Sequence, residues 1–205
     1  MTHTFQLKVT LRGSKPAIWR RVVVPGDLNL QHLHRVIQDA MGWEGSHLHS
    51  FEVAGVEFGA PASAASGFES EMKSENRYTL ERLVGVKDRF TYTYDFGDHW
   101  LHQVVVEKVM PGESSAPSVV AGARACPPED CGGVYGYAEL VAALADTDHP
   151  RHAEMAEWVP PDWQPDQFDL AAADARVAKH GPRGGGRVRG ASKKRPSRTW
   201  ARVGS

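Results

Sequence analysis

The chain reads as an α+β protein: a β-grasp-like, mainly antiparallel sheet with one packed helix and a C-terminal helical cap. Three observations predict this. Segments near the N-terminus and around residue 97 alternate apolar and polar residues, the period of a half-buried strand. One segment between them carries its apolar residues at helical spacing. Beyond residue 133 the pattern is helical.

Residues 5–11, FQLKVTL, form the first predicted strand, and residues 18–24, IWRRVVV, the second, paired with it across the turn RGSKP. PGD breaks that strand. Asn29 is an N-cap for a helix over 30–41, in which Leu30, Leu33, Ile37, Ala40 and Met41 form one apolar stripe and Gly42 follows as the stop. HLHSFEVAGVEFG is one strand or a tight pair. Residues 60–76 are small and polar without a period, a surface loop. TLERLV is a short helical turn. RFTYTYDF and HWLHQVVVEKV are partner strands, with Gly97-Asp98 as a two-residue hairpin turn. Residues 111–133 read as irregular. Helices are then expected over YAELVAALA, after Pro150, and over 169–179. The rival architecture is another α+β sandwich with a mainly antiparallel sheet.

The net charge of −1 hides an asymmetry. All 25 acidic residues lie at or before Asp174, against 14 of the 24 Lys and Arg, a balance of −11. The remaining ten cations follow without one acid. The chain therefore divides into a domain over 1–180 and a basic, Gly/Arg-rich tail over 181–205, which has no apolar face to offset its ordering entropy. An acidic body repels a phosphate backbone, whereas such a tail attracts it without reading sequence. The tail cations assigned to nucleic acid are Arg183, Arg187, Arg189, Lys193, Lys194, Arg195 and Arg198. No apolar run approaches a bilayer span, no signal-peptide core opens the chain, and two cysteines make no disulfide framework. The expected compartment is the cytoplasm, with no membrane partner.

Two polar clusters carry the candidate chemistry. In DFGDHWLH, a two- or four-residue loop centred between Gly97 and Asp98 sets Asp95 opposite Trp100, with His102 diagonal on the same face. Asp95 then orients His102, as carboxylates do for histidines in catalysis and at metals. His47 and His49 share a face of their own strand and join this set if the strands are neighbours. The alternative is structural: Asp98 completes a turn and His102 caps an aromatic cluster with Trp100. Cys126-x4-Cys131 has the spacing of half a zinc site, but no second cysteine pair exists, so zinc would need His47, His49 or another histidine. The alternative there is two reduced, partly buried thiols flanking a stiff PPED loop that adds carboxylates.

Other features have plainer readings. His34 lies on the apolar stripe and reads as a satisfied boundary residue; His32 points to solvent. Phe90, Tyr92, Tyr94, Trp19, Trp43 and Trp100 could stack bases, but in an acidic body they read as core.

Four stretches, KPAIWRRVVVPGDLNLQHLHRVIQDAMGW, HLHSFEV, YTYDFGDHWLHQVVVEKV and CPPEDCGGVYGYAELVAALADTDHP, stand in an order that resembles the plasmid pRiA4b ORF-3-like family over roughly residues 5–175. That resemblance implies a mobile-element setting and no established activity. Some relatives carry a transposon-resolvase label. A serine resolvase needs an activated serine among arginines and a DNA-reading helix. Ser14, the serine beside Arg12 and Lys15, has no base nearby, and no helix-turn-helix pattern is present. The label is rejected. The leading expectation is an uncharacterised, non-enzymatic accessory protein: a binding domain, open to a protein partner, with a polyanion-binding tail. The alternative is a metal-dependent, hydrolase-like enzyme using Asp95, Asp98 and His102 with His47 or His49.

Overall fold

The computed structural model describes residues 3–60, 72–112 and 116–181. The tail beyond 181 and most of the predicted loop over 60–76 lie outside the described residues. The chain folds as α+β. Its elements are β1 (His3–Leu11), β2 (Trp19–Pro25), α1 (Leu30–Met41), β3 (His49–Val53), β4 (Val56–Gly59), β5 (Lys73–Ser74), α2 (Leu80–Leu83), β6 (Arg89–Tyr94), β7 (Trp100–Pro111), β8 (Ser118–Ala123), α3 (Gly133–Ala145), α4 (His152–Trp158) and α5 (Leu170–Val177). The strands make one mixed sheet in the order β5-β4-β3-β6-β7-β1-β2-β8. Every named pairing is antiparallel except β4–β5. The β-grasp comparison extends no further than the order strand, strand, helix, strand.

Period-2 alternation decides which face is inside. Leu7, Val9 and Leu11 of β1, Val22 and Val24 of β2, Phe90, Tyr92 and Tyr94 of β6, and Trp100, Val104 and Val106 of β7 share the buried face. α1 lays its predicted stripe on this face. Asn29 caps it, its side chain accepting from the His32 N–H at 2.9 Å, and Gly42 ends it in a left-handed conformation. The His32 ring also sits 2.7 Å from the Asn29 side chain, so His32 belongs to the cap rather than to open solvent.

Several buried groups are not apolar, and Arg20 is the largest of them. Arg20 points inward from β2 and is 1% exposed. Its Nε donates to the Ala40 carbonyl at the end of α1, and Nη1 donates to the carbonyls of Trp19 and Ala123. The Phe168 ring covers the guanidinium at 4.0 Å. Gly122 on β8 makes room for that ring, since a Cβ there would stand 2.4 Å from it. Burial lowers the Arg20 pKa to about 10.

Three predicted local features come out differently. Residues 73–76, expected within a surface loop, form β5 and most of a 3-10 turn that ends at Arg77, because Lys73 and Ser74 pair with β4 and Glu75 turns into the protein, 1% exposed. The stretch read as irregular contains β8, which adds to the edge at β2. The hairpin loop has five residues, Asp95 to His99, rather than two. Asp95 adopts a positive φ of 55°, its carboxylate accepts from the Gly97 N–H, and its carbonyl accepts from the His99 N–H. This side-chain turn outcompetes the glycine hairpin turn.

Candidate functional site

The five-residue loop sets the register of the site. Tyr94, not Asp95, pairs with Trp100, and Tyr92 pairs with His102. The expected Asp95–His102 couple therefore does not form. His102 is fully buried against the rings of Trp43 and Tyr92. Its Nδ1 faces the Tyr92 carbonyl at 3.3 Å, and Nε2 has no partner among the described residues. Desolvation lowers its pKa to about 4, so the ring is neutral at physiological pH. Trp100 is equally sealed.

Asp95 turns instead to His47. That histidine lies just before β3, in the chain leading from α1 into the strand. Its Nδ1 is 3.8 Å from Asp95, and its Nε2 is 3.2 Å from Asp130 and 3.7 Å from Glu129. One donor atom each from His47, Asp95 and Asp130 falls within 4.8 Å of the others. Glu129 is held in place by Tyr94, whose hydroxyl donates to it at 3.1 Å, and by the Glu44 N–H at 2.9 Å. Asp98 lies beside this set but accepts from the Gly132 N–H, fastening the hairpin loop to the loop before α3. A Cβ on Gly133 would stand 2.4 Å from the Asp98 carbonyl, so the two loops meet backbone against backbone.

His49 separates from His47. It stacks face to face on His34 with centroids 3.5 Å apart, and its Nε2 meets the buried Glu75 at 2.7 Å. His34 continues inward: its Nδ1 lies 2.7 Å from the Tyr92 hydroxyl, to which Gln38 also donates.

Cys126 and Cys131 are free thiols near this end of the sheet, and neither belongs to the donor set around His47. Burial pushes both pKa values up, Cys131 to about 12.

The family model for plasmid pRiA4b ORF-3-like proteins matches residues 3–172. The chain belongs to this family. An uncharacterised protein, y4hQ, of Sinorhizobium fredii (strain NBRC 101917 / NGR234) is 40% identical over 170 residues, spanning 82% of this chain and 85% of the relative. The crystal structure of a protein of unknown function, MM3350 from Methanosarcina mazei Go1, superposes with a TM-score of 0.76 at 34% identity, covering 83% of this chain and 97% of that one.

For this pRiA4b ORF-3-like domain, the head of the sheet is where the polar groups gather. Sequence reading missed Glu75, placed in a loop, and credited PPED with stiffness and added carboxylates without assigning Glu129 or Asp130 to His47. It also misjudged the outer sheet face. Trp19 is only partly buried there, under Lys8 at 5.0 Å and Arg21 at 5.1 Å. A shallow groove of about 710 Å³ beside it is bordered by Arg21, Lys87, Arg89 and Lys108. Its acid, Glu107, is already taken by Arg21 at 2.6 Å. The body thus carries a locally basic face despite its acidic total. Among the described residues no helix is long and apolar enough to cross a membrane.

Proposed function

We propose that this protein is a non-enzymatic accessory protein of mobile-element type, a binding domain whose working end is the loop cluster at the head of the sheet and which takes a divalent cation there. The carrying observation is the convergence of His47, Asp95 and Asp130 from three separate loops, within 4.8 Å. A modest contraction brings such donors to the edge of a tetrahedron of about 2.1 Å bonds, roughly 3.4 Å. One imidazole with carboxylates suits zinc or manganese better than calcium. The ion would tie the three loops together. The sealing of His102 removes the proton-transfer partner that an Asp95-based enzyme would use, which supports binding over catalysis. Calorimetric titration of EDTA-treated protein with zinc is expected to give one ion per chain. His47→Ala weakens binding about tenfold or more, and Cys126→Ser leaves it unchanged. Loss of binding in Cys126→Ser alone would return the site to the cysteines; no bound ion in the wild type sinks the proposal.

Asp130 is 69% exposed, which would leave a bound ion open to water and favours the metal-dependent hydrolase as the second reading. Turnover of p-nitrophenyl phosphate by the zinc-loaded protein, abolished in Asp95→Asn, would move the assignment to that reading.

The tail is the second working part of the proposal, a non-specific polyanion binder supported by the eight cations without an acid over residues 181–205. Full-length protein is expected to bind duplex DNA with a log–log salt slope near −0.9 per phosphate contact, and a truncation after Lys179 to lose most of that affinity. Equal binding by both forms would move the contact to the basic outer face at Arg21, Lys87, Arg89 and Lys108.

A further inference from the structure

A second cavity, of about 310 Å³, opens beside α1, with Gln38 and His34 in its wall together with Trp43, Gly45, Asp39 and His180. None of these side chains belongs to the cation set at His47. Two of the wall residues are more than nine-tenths buried: Gln38 is 4% exposed and His34 is 9% exposed. The side-chain oxygen of Gln38 has no partner among the described residues. A buried, unpaired carbonyl oxygen is costly unless something fills its place. Both inner atoms lie beside Gly45, since a Cβ there would stand 3.8 Å from Gln38 Oε1 and 4.0 Å from His34 Nε2.

The hydrogen-bond chain behind the wall assigns their roles. Gln38 Nε2 can only donate, and it donates to the Tyr92 hydroxyl oxygen at 2.8 Å. The phenolic proton then goes to His34 Nδ1, 2.7 Å away. A neutral imidazole that accepts at Nδ1 carries its proton on Nε2. Desolvation, with His49 stacked against it, lowers the His34 pKa to about 3 and keeps the ring neutral. The wall therefore offers one acceptor, Gln38 Oε1, beside one donor, His34 Nε2–H. Turning the Gln38 amide over exchanges the two roles and leaves the pair one donor and one acceptor. An adjacent N–H and C=O on a ligand is the complement of that pair. The volume lies within the range of small-molecule pockets. At the rim, His180 meets the Asp39 carboxylate at 2.7 Å and Arg176 donates to the Asp39 carbonyl, so the C-terminal segment forms one side of the entrance.

We propose that this cavity binds a small molecule through an amide edge, a lactam or carboxamide whose N–H meets Gln38 and whose carbonyl meets His34. The site is a recognition site and involves no covalent step.

The test uses the full chain in EDTA, so that the cation site plays no part, with δ-valerolactam and benzamide as probes and their N-methylated forms, N-methyl-δ-valerolactam and N,N-dimethylbenzamide, as controls. Saturation-transfer NMR reads binding, and the Gln38 side-chain amide and Trp43 indole resonances locate it. Fragments of this size bind with a Kd on the order of millimolar. The N–H probes are expected to shift the Gln38 amide, and methylation is expected to weaken binding about tenfold or more, because it leaves the buried oxygen unpaired. Gln38→Met should lose the probes by a similar factor while near-UV circular dichroism stays native. If Gln38→Met does not fold, the methylated controls on wild-type protein decide alone. Equal binding of the parent and methylated probes, binding that leaves the Gln38 amide unmoved, or no binding of either pair overturns the proposal.

Discussion

Replacing Arg20 by alanine is expected to lower the stability of the protein by about 4 kcal/mol, read as a fall in the urea midpoint at unchanged slope. The group is buried and has no carboxylate beside it among the described residues. Its charge is held by the carbonyls of Ala40, Trp19 and Ala123 and by the face of Phe168. Truncation takes the guanidinium donors away from three inward carbonyls and leaves a cavity under an aromatic ring. Arg20→Met separates the two losses. It refills most of the volume but returns no donor, and about 2 kcal/mol of the deficit should remain. Buried ion pairs have sometimes been replaced by apolar groups without loss, so this comparison is informative. A methionine variant as stable as the wild type would show that helix end, β8 and C-terminal cap are joined by packing alone.

The second large effect is acid destabilisation. His34 and His102 have pKa values lowered to about 3 and about 4, against 6.5 in an unfolded chain. Between those values the unfolded chain binds more protons than the folded one, so stability rises with pH. It is fully present above about pH 6.5 and is lost as the pH falls toward 4 and 3. Each histidine contributes a slope of up to about 1.4 kcal/mol per pH unit in that window. Urea midpoints at pH 7.5, 5.5 and 4.5 should therefore fall steeply for the wild type. In His102→Phe, which fits an aromatic surrounding, the slope should be about half as steep. Midpoints that agree at pH 7.5 and 4.5 would mean that acid opens these pockets at little cost.

How much of this was readable in the residues follows from the range of the forces involved. α1 was legible because its cap, stripe and stop are local: Asn29, the leucines at helical spacing, and Gly42 each act within a turn or two. The pairing of β1 with β2 and of β6 with β7 was legible for the same reason. The hairpin loop was not. Gly97-Asp98 is a sound turn signal, but Asp95 has a competing one, and the difference moved every partner by a position, replacing His102 with His47 beside Asp95. Glu75 was illegible because its surroundings are polar in sequence and its burial comes from His49, a long-range contact. β8 is a strand chiefly because β2 offers it an edge. The aromatic reading held for Trp43, Tyr92, Tyr94 and Trp100 and failed for Trp19, whose neighbours on the outer face are cations.

The sheet order has a consequence for synthesis. β1 and β2 emerge from the ribosome before the other strands of this sheet, yet in the finished sheet they are flanked by β7 and β8. About a hundred residues separate the completed hairpin from its second flanking strand, roughly 5–20 s at ordinary elongation rates. During that interval any β1–β2 hairpin that forms has both edges unpaired and Arg20 not yet covered by Phe168. Open edges of this kind recruit other chains. The sheet therefore closes only after β7 and β8 have been made, with β1 and β2 waiting for the strands that close around them.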